Sequence, residues 1–246
     1  MQTNGLQRYK EFKFALASYR ISERAKSEIT DLRLVLLIAP TSGGRNTIIR
    51  RLLTDGGYHY IVSDTTRKPR INDGILEQNG REYWFRTEEE MLADLQTGEY
   101  LEAELIHGQQ VSGISIRELK KAKKQNKIGI TDIDLDGVHN VIKVKPDTII
   151  IMILPPSFDE WQRRIARRGH MSGQEYIRRL QTADKIFSDG IKNNFYHFLI
   201  SENVEQSASI INSIVEGGRN PHQDRGRSLL SQLQSHLQEK LLEPSK

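Results

Sequence analysis

The amino-acid sequence predicts an α/β fold built on a five-stranded parallel sheet that is covered by helices. The first observation is a set of short apolar segments in the middle of the chain: 34–38, 59–62, 128–133, 149–154 and 197–200. Most are continuous apolar runs, which is typical of strands buried on both faces of a parallel sheet. The second observation is a set of helical patterns that alternate with these segments, near 45–54, 115–126, 158–168, 173–193 and 205–216. Alternation at this spacing indicates right-handed crossover connections.

Residues 81–114 interrupt this alternation and predict a small inserted α+β subdomain. Two segments, 83–85 and 100–106, have the pattern of short strands around a helix. That helix starts with Thr87 and has Glu90 three residues later, which is the spacing of a capping box. The region therefore has its own strands, separate from those of the main sheet.

The composition of the 246-residue chain excludes several classes of site. The chain has no cysteine, which excludes a disulfide framework, a cysteine-ligated metal site and a cysteine nucleophile. Its longest uninterrupted apolar runs, 34–39 and 149–154, have six residues each, whereas a membrane-spanning helix needs about 20. The first residues show no secretory signal pattern. We therefore expect a cytoplasmic protein that makes no membrane contact.

The positive charge of the chain lies at its two ends. The formal net charge is +4, but residues 31–216 carry 25 basic and 26 acidic side chains. A protein body that binds nucleic acid is expected to hold the basic excess itself, so we expect no nucleic-acid partner. The lysines of segment 120–127 are interpreted as a solvated helix face. Anionic ligands of the middle region would have to be held by local clusters of arginine.

Both ends of the chain have the character of extensions. The N-terminal extension, residues 1–30, has apolar side chains at helical spacing over 6–29, which predict an amphipathic helix that packs on the main domain. The alternative is a helix that binds a partner or a membrane surface. Residues 217–228 are rich in glycine, proline and charge and predict a linker. Together with a short helix after it, this linker makes up a C-terminal extension at 217–246. A leucine stripe makes this last helix a candidate for homodimerisation or for docking to a protein partner: Leu229, Leu230, Leu233, Leu237 and Leu241.

The loop after the first predicted strand has the context of a P-loop, a phosphate-binding turn between a strand and a helix. The loop ends in Thr41, Ser42, Gly43, Gly44, Arg45, Asn46 and Thr47. Of the consensus G-x-x-x-x-G-K-[ST] only Gly44 fits, because Ala39, Arg45 and Asn46 replace the first glycine, the lysine and the hydroxyl residue. Arg45 keeps the positive charge in a different geometry, and Asn46 offers an amide oxygen to Mg²⁺. On these residues alone, phosphate binding and a plain turn both remain open.

Arginine and acidic side chains lie in and after other predicted strands. Arg67 and Arg70 are three residues apart on a proline-stiffened segment, close enough to clamp one phosphate. Glu102, Asp132 and Asp134 are acids inside apolar strand patterns, where acids are rarely buried without partners. The last two form Asp-x-Asp at the carboxyl end of a strand, where ligands of open α/β sheets bind.

Together these motifs resemble the guanylate kinase family over about residues 33–216. The shared motifs occur in the family's order: the P-loop position, S-x-T-T-R-x-P-R, N-G-x-x-Y-x-F, D-I-D-x-x-G, I-L-P-P-S, R-x-x-x-R-G and R-R-L. The resemblance implies a three-layer P-loop kinase fold with a guanylate kinase-like domain at 31–216, a GMP-binding subdomain at 63–115 and a helical lid at 164–180. It also implies phosphoryl transfer from MgATP to GMP, which gives ADP and GDP.

The resemblance assigns a role to each residue that matches a motif of the family. Loop residues 41–47 would hold the ATP phosphates, with Arg45 as a catalytic cation, and Asn46 and Asp132 would face Mg²⁺ indirectly. The lid and helix arginines that stabilise the transferring phosphoryl group would be Arg164, Arg168 and Arg179. The GMP site would consist of Ser63, Arg67, Arg70, Tyr83, Glu102, Ser112 and Asp134, with the two acids reading guanine.

Three departures from the family pattern leave other functions open. The P-loop lacks its lysine and its hydroxyl residue, a tyrosine of the family is Ser112 here, and a hydroxyl residue that helps to read guanine is Ile114. The residues of the predicted GMP site therefore agree better with the family pattern than those of the predicted ATP loop. The alternative is a catalytically inactive guanylate kinase-like module that binds GMP or a phosphorylated protein partner. A third interpretation keeps kinase chemistry with another acceptor, because Ile114 weakens guanine recognition.

Overall fold

A computed structural model of the chain describes residues 5–72, 74–106, 108–167, 169 and 171–242. The chain forms two compact units. The first unit comprises 1–34, 58–131 and 136–148. The second unit comprises 35–57, 132–135 and 149–246. None of the helices in the described ranges has the length and apolar character that crossing a bilayer requires.

The helices of the described residues are α1 (Tyr9–Ala17), α2 (Glu23–Ile29), α3 (Arg45–Thr54), α4 (Glu88–Gln96), α5 (Ile116–Lys124), α6 (Leu135–Val144), α7 (Phe158–Arg167), α8 (Gly173–Lys192), α9 (Val204–Val215) and α10 (Gln223–Leu242). The strands are β1 (Leu34–Ile38), β2 (Tyr58–Tyr60), β3 (Asp64–Thr65), β4 (Ile71–Asn72), β5 (Ile75–Leu76), β6 (Trp84–Phe85), β7 (Tyr100–Ile106), β8 (Gln110–Ser115), β9 (Ile128–Asp132), β10 (Ile149–Leu154) and β11 (Tyr196–Ile200).

The largest sheet has five strands in the order β11-β10-β1-β9-β2, and the pairs β1–β10, β10–β11 and β2–β9 run parallel. The predicted α/β class and five-stranded parallel sheet are confirmed. All five residues of β1 and all but the first of β10 are buried, because such continuous apolar strands can be covered on both faces.

Within the second unit, three parallel strands end at one edge of this sheet. β1 leads into the loop before α3, β10 leads to α7, and β11 leads to α9. Ligands of open parallel sheets bind beyond the carboxyl ends of the strands. A binding site is therefore expected at these three connections.

The first unit carries a four-stranded sheet in the order β6-β3-β8-β7, so the strands predicted around residues 83–85 and 100–106 are confirmed. Helix α4 begins at the predicted capping box: the Thr87 hydroxyl accepts from the Glu90 N–H at 3.2 Å, and the Glu90 carboxylate accepts from the Thr87 N–H at 2.9 Å. The hairpin β4–β5 has no counterpart in the sequence prediction.

The N-terminal extension packs on the first unit as two helices, so the prediction of one helix over 6–29 is wrong. α1 ends at Ala17, and α2 begins at Glu23 after a new N-cap, where the Ser22 hydroxyl accepts from the Ala25 N–H. The interior side of α1 supplies Phe12 to a buried cluster that includes Met91, Leu92, Leu95, Tyr100 and Val111. Burial of this apolar surface anchors the extension.

The C-terminal helix α10 begins at Gln223, so the second half of the predicted linker 217–228 is wrong. Gly226 allows close packing, since a Cβ there would lie 2.4 Å from the Cβ of Phe198. Leucines of the predicted stripe are buried where α10 packs on α8 and β11 of the same unit: Leu230, Leu233 and Leu237. The stripe thus packs on its own chain, and homodimerisation stays a prediction.

Candidate active site

The loop between β1 and α3 folds into a tight turn at the start of a helix. Gly44 is the N-cap of α3 with φ +102°, and Ser42 has φ +59°, both in the left-handed region. Gly43 has no room for a side chain, because a Cβ would lie 2.8 Å from Ala39 Cβ and 2.9 Å from the Pro40 carbonyl oxygen. The first backbone N–H groups of a helix have no partner inside the helix. The turn therefore presents unpaired donors and the positive end of the helix dipole to an anion.

Arg45, which is predicted to replace the P-loop lysine, lies beside the predicted catalytic acid. Its Nη1 is 3.5 Å from Oδ2 of Asp132 and 3.3 Å from the carbonyl oxygen of Ile133. The next two loop residues, Asn46 and Thr47, are exposed on the first turn of α3. The structure thus brings the loop, its cation and Asp132 together in the second unit.

Two of the three predicted lid and helix arginines are anchored near this loop. Arg179 on α8 donates from Nη1 to the Thr41 hydroxyl at 2.9 Å and from Nε to Glu175 at 2.8 Å, which lowers the pKa of the Glu175 carboxyl. Arg164 on α7 donates to the hydroxyl and the carbonyl oxygen of Ser201, both at 2.8 Å. The third, Arg168, lies outside the described residues.

A hollow of about 280 Å³ opens beside the loop in the second unit. It is lined by residues from the loop, from α7 and from the segment after β11, including Ser42, Gly44, Thr47, Arg164, Ser201 and Asn203. Ser201 and Asn203 were not predicted from the sequence. Their position just after a predicted apolar strand is the signal that could have found them, because that is where parallel sheets bind ligands.

In the first unit, Arg67 is held rigidly between a carboxylate and aromatic rings. Its two terminal nitrogens donate to Glu77 at 2.5 and 2.8 Å, and its guanidinium lies 4.6 Å from the centre of the Tyr83 ring. Hydrogen bonding to Glu77 raises the pKa of Arg67 above its ordinary value. The backbone N–H of Arg70 donates to the same carboxylate at 2.8 Å, while the Arg70 side chain is exposed. Glu77 was missed by the sequence analysis.

The other predicted GMP residues of the first unit lie on or beside its four-stranded sheet. Glu102 is buried on β7, opposite Ile114 of β8. Ser112 of β8 donates its hydroxyl hydrogen to Oγ1 of Thr65 at 2.9 Å. Ser63 precedes β3 and accepts from the Trp84 N–H through its carbonyl oxygen at 2.9 Å. Asp134 belongs to the second unit, where it is exposed two residues after the end of β9.

Asp64, which was also missed from the sequence, anchors this sheet from inside. Its carboxylate is fully buried and accepts from the hydroxyl of Tyr100 at 2.8 Å, from Arg117 at 2.8 Å and from Arg86 at 3.4 Å. Burial raises the pKa of Asp64, and the two guanidinium groups oppose that shift. A buried carboxylate needs such partners, so these contacts fix β3 directly after Ser63.

The residues present fit a Mg²⁺ ion that is held mainly by a nucleotide. In the described residues no group of three or more His, Cys, Asp or Glu side chains could form a metal cage by itself. Mg²⁺ usually keeps several waters and binds through one or two carboxylates together with substrate phosphates. Asp132 supplies one such carboxylate, and Asn46 supplies an amide oxygen from the adjoining loop, so the donor set fits that mode of binding.

Comparison with known proteins shows which proteins this chain is similar to. The family model described as Guanylate kinase matches residues 31–217. The guanylate kinase of Corynebacterium efficiens is 32% identical over 187 residues, which cover 75% of this chain and 95% of that protein. The guanylate kinase of Porphyromonas gingivalis is 35% identical over 156 residues, which cover 62% of this chain and 81% of that protein.

A solved structure shares the fold. The crystal structure of guanylate kinase from Anaplasma phagocytophilum aligns with a TM-score of 0.55 and 24% identity, covering 87% of this chain and 98% of that chain. The family match spans both the loop with Arg45 and the segment with Arg67. On the family match and the identity to these relatives, the chain belongs to the guanylate kinase family.

Proposed function

We propose that this chain transfers the γ-phosphoryl group of MgATP to GMP and so produces ADP and GDP. The observation that carries the proposal is the pairing of Arg45 with Asp132 beside a helix-capping turn, at 3.5 Å. This arrangement keeps a cation, an acid and a set of helix N-terminal donors together although the P-loop sequence has changed. Phosphoryl transfer needs mostly positioning and charge stabilisation, which such groups supply.

On the ATP side, the start of α3 and Arg45 would bind the phosphates. Arg179 is already held against the loop through Thr41, so its guanidinium is positioned to stabilise charge that develops on a transferring phosphoryl group. Arg164 and Arg168 are proposed to share that role. When bound, Mg²⁺ would shield the phosphate charge, with Asp132 and Asn46 as the residues that face it.

On the GMP side, the phosphate would be bound by Arg67, Arg70, Tyr83 and Ser63. The bidentate pair with Glu77 and the contact with Tyr83 preorganise Arg67, so little side-chain entropy is lost on binding. Glu102 and Asp134 are proposed to accept hydrogen bonds from guanine. Ser112 would contribute a hydroxyl that already donates to Thr65, which makes it the weakest member of this set.

The second candidate is an inactive module that binds GMP or a phosphorylated protein partner. It is favoured by the loop itself: Arg45 is engaged with Asp132 and the Ile133 carbonyl, and exposed Asn46 replaces the hydroxyl residue. The arginines of the proposed GMP site, Arg67 and Arg70, could bind the phosphate group of such a partner equally well. The third interpretation is a kinase with a different acceptor. Glu102 of β7 pairs with Ile114 of β8, and the apolar Ile114 stands where the family has a hydroxyl residue that helps to read guanine.

Calorimetric titration separates these candidates. For the kinase, we expect saturable binding of both MgATP and GMP. GMP binding without any ATP binding would support the module and contradict the proposal. Titration with GMP, dGMP, IMP and AMP in parallel then tests the acceptor, and preference for a nucleotide other than GMP would support the third interpretation.

A further inference from the structure

The N-terminal extension covers an open edge of the sheet that carries Glu102. In the order β6-β3-β8-β7, strand β7 is the last strand, so among the described residues no strand pairs with the other side of its backbone. Residues 19–22, between α1 and α2, run along this side: the Ser22 N–H donates to the Gly98 carbonyl oxygen at 3.1 Å. The approach is close, because a Cβ on Gly98 would lie 2.5 Å from the Ser22 nitrogen.

At the start of β7, one hydroxyl group of this extension makes the two backbone hydrogen bonds that a neighbouring strand would otherwise make. The Tyr19 hydroxyl donates to the Tyr100 carbonyl oxygen at 2.6 Å and accepts from the Tyr100 N–H at 2.8 Å. An edge strand otherwise exposes these two groups to solvent or to another chain. The side chain of Tyr100 is held as well, since its hydroxyl donates to buried Asp64 at 2.8 Å.

The clamped residue adjoins a bulge that sets the direction of Glu102. Tyr100 pairs with Ser115, whereas Glu102 pairs with Ile114, so β7 has one extra residue between these two positions. A bulge of this kind re-aims the side chains that follow it and bends the strand. A change at Tyr100 would therefore move the carboxylate of Glu102.

We propose that Tyr19 is a positioning residue for the acceptor nucleotide: by clamping Tyr100 it holds the bulge that aims Glu102. The inference rests on the proposed role of Glu102 in reading guanine. The extension precedes residues 31–217, which match the family, so this chain supplies part of its acceptor recognition from outside the family's domain.

The test compares Tyr19→Phe with Tyr9→Phe in the full chain. Tyr9 lies on α1 with 39% of its surface exposed, so the control removes the same hydroxyl from the same extension. Calorimetry measures the Kd values for GMP and ATP, and a steady-state assay measures the preference for GMP over AMP. For Tyr19→Phe we expect a Kd for GMP raised about three- to tenfold, the effect of losing one hydrogen bond between Glu102 and guanine. The Kd for ATP should be unchanged and the preference for GMP weaker. Tyr9→Phe should match the wild-type chain.

Gly98→Ala provides a second route to the same displacement. Its Cβ would push Ser22 away from the turn just before β7, and the φ of +72° would strain the backbone there as well. The same selective loss of GMP binding in both variants supports the proposal. Unchanged GMP binding in Tyr19→Phe overturns it, and so does an equal loss of GMP and ATP binding, which indicates a purely structural role. If the wild-type chain binds GMP but makes no GDP, the kinase proposal fails. The Kd values for GMP and ATP would then still decide whether Tyr19 is a positioning residue. If it binds no GMP, both fail.

Discussion

Replacing Ser42 with glycine should stabilise the protein, although the residue lies in the candidate phosphate loop. Ser42 has φ +59°, and a left-handed backbone costs a non-glycine residue about 1–2 kcal/mol. Its hydroxyl is buried without a hydrogen-bond partner in the described structure, which adds about 1 kcal/mol. Glycine loses more backbone entropy on folding, which offsets about 0.5–1 kcal/mol of that gain. We therefore expect the free energy of unfolding to rise by about 1–2 kcal/mol.

Thermal unfolding followed by circular dichroism measures this gain. For a chain of this length, about 1 kcal/mol corresponds to a Tm increase of about 2–4 °C. Ser42→Ala is the matched control: alanine removes the unpartnered hydroxyl but keeps the Cβ and therefore the strained backbone, so it should show only the part of the increase that comes from the hydroxyl. Asn126→Gly is a second control: Asn126 has φ +52°, but asparagine tolerates this region, so the gain should be smaller. A Tm for Ser42→Gly at or below the wild-type value would refute the argument from strain.

Two further predictions concern the loop cation and the response to acid. Arg45→Lys should raise the rate of GDP formation several-fold in a coupled assay, because a compact ammonium suits the loop better. An unchanged rate would contradict the idea that Arg45 limits the rate of phosphoryl transfer. Burial lowers the pKa of His222, whose Nδ1 accepts from the Ile200 N–H at 3.2 Å. As pH falls below about 6.5, the unfolded chain gains a proton that the folded chain resists, so stability falls. His222→Asn should weaken this fall in urea unfolding, leaving the part due to half-buried His197. An identical pH dependence would contradict the assignment.

The main sheet was predictable because its strands have a local signature. β1 and β10 are continuous apolar runs, and their bounds agree with the segments read from the sequence. α6 was missed because Gly137 and three valines give it a low helix propensity. Burial of Val138 and Val141 overrides that propensity in the folded chain.

Residues of the candidate site could be named from the sequence only where they belong to motifs. Arg67, Arg45 and Asp132 stand in segments that match the family pattern, and the structure gives Arg67 and Arg45 buried or half-buried acidic partners. Glu77 was missed because its pairing with Arg67 depends on the β4–β5 hairpin, for which spacing gives no signal. Tyr19 was missed as a site residue because its contact with Tyr100 spans 81 positions, and periodicity reports only which face of a helix is apolar.

The most direct test of the central claim is the formation of GDP from GMP and MgATP by the purified chain. Nucleotides separated by chromatography should show GDP and ADP appearing in equal amounts. Asp132→Asn should lower the rate strongly by removing the acid beside Arg45, whereas exposed Asp31→Asn should leave it unchanged. A wild-type chain that forms no GDP above the reaction without protein would contradict the account.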